Sequence, residues 1–103
     1  MGQDAKRRRL DIIELTEQLI AIPSISGNEA EALDFVASWM RSANFDKVIT
    51  DERFTAGFIR AKKQIAKRAL ILCGHVDTVS PGDESAWRQS PWQPYVMNGR
   101  LYG

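Results

Sequence analysis

The sequence predicts an α/β fold, with helices packed on a sheet, and three observations carry that prediction. Apolar residues recur at helical spacing from about residue 10 to Asn44. A continuous apolar run, Ala69-Leu70-Ile71-Leu72-Cys73, suits a central strand covered on both faces. Asn98-Gly99, set between Tyr95–Met97 and Arg100–Tyr102, is the strongest hairpin signal in the chain. With 103 residues, 44% of them hydrophobic, the chain has the length of one domain or part of one and enough apolar side chains for a core.

The elements follow in order. Residues 1–9 read as a solvated basic tail. From about residue 10 a first helix places Ile12, Leu15, Leu19 and Ile22 on one face, with Ile13 and Ile20 beside it. Pro23 stops it, because the residue before a proline is pushed out of helical geometry. Ser24-Ile25-Ser26-Gly27-Asn28 is then a turn, and Ser26 with Glu29, or Asn28 with Glu31, predicts a capping box for a second helix. That helix lines up Ala30, Leu33, Val36, Ala37 and Met40 and ends near Asn44, a residue that tolerates left-handed geometry. Lys47–Thr50 and Gly57–Ala61 read as short strands, and the stretch from Lys62 to Arg68 as a polar connection. A loop rich in Pro and Gly follows Asp77 and leads to the hairpin, whose second arm closes the sequence. A hairpin cut at Gly103 suggests an incomplete domain.

Composition excludes several function classes. Lys and Arg number 14 against 13 Asp and Glu, a net charge of +1, which argues against a dedicated nucleic-acid binder. The basic residues cluster in Lys6–Arg9 and Arg60–Arg68, with no aromatic platform interleaved. No apolar run approaches the ~18–20 residues of a membrane span. Asp11, Glu14 and Glu17 follow the basic start and are foreign to a signal-peptide core. One cysteine rules out an internal disulfide framework and fits a reducing compartment, so a cytoplasmic soluble protein is the simplest reading. Within an apolar strand, Cys73 reads as an inert buried thiol. Trp87 and Trp92 read as packing residues of the loop or as a ligand shelf.

The most informative stretch is Leu72-Cys73-Gly74-His75-Val76-Asp77-Thr78-Val79. A buried strand ends there, and His75 and Asp77 emerge at its carboxyl end, where open α/β sheets bind ligands. Imidazole is the commonest protein metal ligand, and a ligating His normally gives its other ring proton to a carboxylate or carbonyl. The local pattern leaves a second reading open, with His75 as a strand cap and Asp77 as a turn residue. A Ser-His-Asp triad using Ser24 or Ser26 is poorly placed, because Asp77 is too local to His75 to line up a distant serine.

Four separated motifs change the balance. The segments Leu19–Glu29 and Gly74–Val79, with Trp87, Ser90-Pro91-Trp92-Gln93-Pro94 and Asn98-Gly99-Arg100-Leu101-Tyr102-Gly103, closely resemble the family of acetylornithine deacetylase, succinyl-diaminopimelate desuccinylase, aminoacylase and glutamate carboxypeptidase. The resemblance covers residues 10–103. It implies a zinc-peptidase-like catalytic domain, with helices on a mixed, largely parallel sheet, of which this is the amino-terminal portion without the smaller dimerisation domain. It implies two zinc ions per active site, cobalt being an alternative, with His75 as the first metal ligand and Asp77 as the catalytic aspartate that orients it. Gly103 matches the glycine opening the motif that carries the bridging aspartate. The implied substrate is an N-acyl amino acid or small peptide, cleaved at its amide, and the implied full-length protein is a homodimer with no nucleic-acid or membrane partner. Ser80, Ser90 and Trp92 stand where the family more often has Pro, Asp and Phe, which leaves the branch and the substrate open. The opposing expectation is a truncated, non-catalytic binding or interaction module; the fragment alone is expected to be inactive.

Overall fold

The computed structural model describes residues 12–63 and 67–103. The basic tail, the first turn of the expected first helix at residues 10–11, and residues 64–66 of the polar connection lie outside the described residues. The chain divides into two compact units, Ser24–Thr78 and Val79–Gly103 together with the residues up to Pro23.

In the first unit, helix α2 (Ala30–Ser42) packs on a hairpin of β1 (Lys47–Thr50) and β2 (Thr55–Phe58). Ala32, Leu33 and Ala37 are its buried residues, while Ala30, expected on the inner face, is exposed. Glu31 in the first turn and Arg41 in the last complement the helix dipole. The expected capping boxes do not form. The helix opens at Glu29, which makes no side-chain cap, and its carboxylate instead accepts the Gly27 N–H at 2.7 Å. At the other end the expectation holds. Asn44 adopts φ 63°, the Asn44 N–H bonds Arg41 O, and the Phe45 N–H bonds Met40 O, a Schellman closure. Phe45 then meets Trp39 edge to face at 6.3 Å.

The hairpin is antiparallel, with Lys47 opposite Phe58 and Thr50 opposite Thr55. Asp51 sets this register. Its N–H bonds Phe54 O, and its Oδ1 accepts the N–H groups of Arg53 and Phe54. The tight turn starts β2 at Thr55, before the expected Gly57, and Ile59–Ala61 lie outside the strand, with the Arg60 N–H on the Asp46 carboxylate. Thr55 Oγ1 donates to Leu33 O at 2.9 Å, so the 2.7 Å contact between Thr50 and Thr55 has Thr50 as donor.

The second unit contains helix α1 (residues 12–20), whose last turn tightens as the Ile22 N–H bonds Leu19 O just before Pro23. It also holds the hairpin of β3 (Tyr95–Met97) and β4 (Arg100–Tyr102), in the expected position. Asn98 (φ 51°) and Gly99 (φ 73°) both take the left-handed conformation that a two-residue turn requires. Tyr95 and Tyr102 face each other across the ladder with rings stacked at 5.0 Å. The indoles hold the loop before the hairpin to itself: Trp87 Nε1 donates to Pro81 O at 3.1 Å and Trp92 Nε1 to Glu84 Oε1 at 2.7 Å.

The expected central strand is also corrected. Ala69–Cys73 is in no strand, and Leu70, Ile71 and Leu72 are 86%, 83% and 88% exposed. Cys73 is likewise exposed rather than buried. The run has the composition of a strand covered on both faces, but among the described residues no strand pairs with it, so neither backbone nor side chains leave water. Helices and small antiparallel sheets therefore make up the α/β architecture. Among the described residues no helix is long and apolar enough to cross a membrane.

Candidate functional site

The site is built where two short segments, 52 positions apart, run side by side within the unit Ser24–Thr78. Ile25 and Thr78 form a parallel bridge, with the Ser26 N–H on Thr78 O and the Thr78 N–H on Ser24 O. Ser24 is 4% exposed, and its hydroxyl donates to Val76 O at 2.7 Å. That part-buried bond closes the clip. The clip fixes the backbone on both sides of Asp77, which explains how a stretch without a sheet still presents an ordered His and Asp.

His75 and Asp77 are brought together. His75 Nδ1 lies 2.9 Å from Asp77 Oδ1 and 3.1 Å from Asp77 O. Both neighbours are acceptors, so Nδ1 carries the proton in the neutral ring and Nε2 is left with a lone pair. The second carboxylate oxygen, Oδ2, accepts the Ser26 hydroxyl at 2.7 Å. Asp77 is thus the hub of a Ser26–Asp77–His75 chain. The Ser26 hydroxyl, and after it the His75 ring, hold the Asp77 carboxyl below the usual carboxylate range. This is no nucleophilic triad, because the serine proton goes to the carboxylate and not to the imidazole.

The His75 side chain is 82% exposed and that of Asp77 41%. Both border a cleft of about 430 Å³, together with Glu29 on the α2 side, Arg53 and Phe54 of the hairpin turn, and Leu72. Chemically the arrangement offers one oriented imidazole nitrogen backed by a carboxylate. Among the described residues, no group of three or more His, Cys, Asp and Glu side chains is gathered to hold a metal ion. The donor present therefore fits one position of a coordination sphere. In the sequence Ser26 reads only as a cap or a nucleophile, and its bond to Asp77 is not visible there. That bond depends on a long-range backbone bridge that no local spacing encodes.

Comparison with known proteins gives a consistent result. The chain is 33% identical over 95 residues to a succinyl-diaminopimelate desuccinylase of Wolbachia pipientis wMel, covering 92% of this chain and 24% of that protein. It is 36% identical over 100 residues to an acetylornithine deacetylase of Proteus mirabilis, covering 88% of this chain and 26% of that protein. A succinyl-diaminopimelate desuccinylase of Methylocella silvestris is 32% identical over 95 residues, covering 88% of this chain and 24% of that protein. The chain thus spans about a quarter of the length of these curated relatives. No family model matches it, and no solved structure matches it.

Proposed function

Because the chain belongs to the family of succinyl-diaminopimelate desuccinylase and acetylornithine deacetylase, we propose that it is part of a zinc-dependent hydrolase cleaving the amide bond of N-acyl amino acids or small peptides. The observation that carries this reading is the orientation of His75, whose Nδ1 is committed to Asp77, which leaves the Nε2 lone pair to ligate. His75 would hold one metal through Nε2, and the whole protein would supply the other ligands. Bound zinc supplies Lewis acidity toward water and the amide carbonyl at neutral pH. Asp77 keeps the ring in the ligating tautomer and raises its basicity by hydrogen bonding. The exposed side of His75 on the cleft leaves room for a small substrate beside it.

The test uses the whole protein, with metal content, melting temperature and turnover on N-acetyl and N-succinyl amino acids measured together. His75→Ala removes a ligand and should release one metal per site. Asp77→Asn keeps the shape and still accepts the Nδ1–H, so metal should largely remain while turnover falls about 10–100-fold. If Asp77→Asn lowers the melting temperature but leaves turnover per folded molecule intact, Asp77 is a turn residue and the catalytic reading is wrong. A whole protein that neither retains metal nor hydrolyses any N-acyl substrate supports the non-catalytic module.

A further inference from the structure

We propose that Ser26 is a positioning residue for the His75 imidazole, acting through Asp77. The proposal rests on the reading above, in which Asp77 orients His75, and extends it by one residue. An aspartate carboxylate turns easily about its last torsion, whose preference is broad. On a half-exposed group such as Asp77, water competes for both oxygens. Ser26 removes that freedom. Its hydroxyl has one proton and two acceptors in reach, Asp77 Oδ2 at 2.7 Å and Thr78 O at 3.5 Å. The shorter, charge-assisted bond to the carboxylate is the stronger. With Oδ2 taken, the plane of the carboxylate is set and Oδ1 faces Nδ1.

The clamp is itself anchored. The Ser26 N–H bonds Thr78 O at 3.0 Å, next to the residue being clamped, so serine and aspartate move together. Ser24, by contrast, donates to a backbone carbonyl and touches neither ring nor carboxylate. Ser24 serves the backbone clip, and Ser26 serves the imidazole.

The chain has a single histidine, so a spectrum of ¹⁵N-labelled imidazole contains one ring. In the full chain, at a pH where the ring is neutral, the protonated Nδ1 and unprotonated Nε2 should give two well-separated resonances. Ser26→Ala removes the donor and should raise the minor Nε2–H tautomer several-fold, drawing the two resonances together. Ser26→Thr keeps a hydroxyl on an exposed position and should restore the separation. Ser26→Cys preserves size with a weak donor and should behave like alanine; it decides the question if the alanine variant does not fold. A tautomer ratio unchanged in Ser26→Ala, or in folded Ser26→Cys, overturns the proposal. Asp77→Ala separates the two levels. If it collapses the separation while Ser26→Ala does not, only the role of Ser26 is wrong. If neither changes it, the Asp77 backbone carbonyl sets the tautomer and the Asp77 reading falls with that of Ser26.

Discussion

Replacing Gly57 by alanine places a methyl group in the seam between α2 and its hairpin. An ideal Cβ there lies 2.5 Å from Phe45 Cδ2, 2.6 Å from Met40 Sδ and 2.8 Å from Phe45 Cε2. Comfortable carbon contacts begin near about 3.5 Å, so the neighbours must retreat by roughly 1 Å. Phe45 has little room to do so, since its N–H closes the Schellman turn on Met40 O and its ring packs on Trp39. Overpacking of this kind costs about 1–3 kcal/mol. Alanine recovers about 0.4–1 kcal/mol by restricting the unfolded chain, because Gly57 is not among the positive-φ residues. The net expectation is a loss of about 1–2 kcal/mol. For a domain this size that lowers the melting temperature by roughly 4–16 °C. Thermal unfolding followed by circular dichroism measures it. A double-mutant cycle with Met40→Ala should return a coupling of about 0.5–3 kcal/mol, since the smaller side chain vacates the space the methyl needs. A melting temperature within about 2 °C of wild type, or zero coupling to Met40, would refute the packing argument.

Two further predictions follow from the same unit. The Asp51 carboxyl lies below its ordinary value because it accepts the Arg53 N–H and then the Phe54 N–H, with the Arg53 guanidinium adding attraction. Its contribution to the hairpin is therefore present above the unfolded value near about pH 4 and lost as pH falls through the lowered folded value. Protection factors of the β1 and β2 amides should fall over that acid window in wild type, and the fall should be smaller in Asp51→Asn. The exposed run Leu70, Ile71 and Leu72 should drive concentration-dependent association of the 103-residue chain. Ile71→Lys should reduce sedimentation-detected association and apolar-dye binding, and an unchanged profile would show that the run is not the sticky surface.

Much of the fold was legible in the sequence because it is local. The 3.6-residue period of Leu33, Val36, Ala37 and Met40 needs only a helix to explain it, and Asn44 marks its end because few other residues tolerate φ 63°. Asn98-Gly99 fixes a hairpin for the same reason. The capping boxes failed because the helix opens at Glu29, so neither Ser26 nor Asn28 stands at its N-cap, and the Ser26 hydroxyl is engaged by the distant Asp77 carboxylate instead. The start of β2 was missed because Asp51 tightened the turn through its own side chain, a contest that strand periodicity does not register.

The candidate site divides in the same way. The sequence by itself determined that a His and an Asp two residues apart follow an apolar run, and their separation suffices for the Nδ1–carboxylate bond at 2.9 Å. Tertiary structure decided the rest. It brought Ser26 to Asp77 and sealed Ser24 beneath Val76, because hydrogen bonds between segments 51 and 52 positions apart depend on chain path, not spacing. It also left Leu70, Ile71 and Leu72 exposed, since an apolar run becomes a buried strand only where other strands and helices cover it.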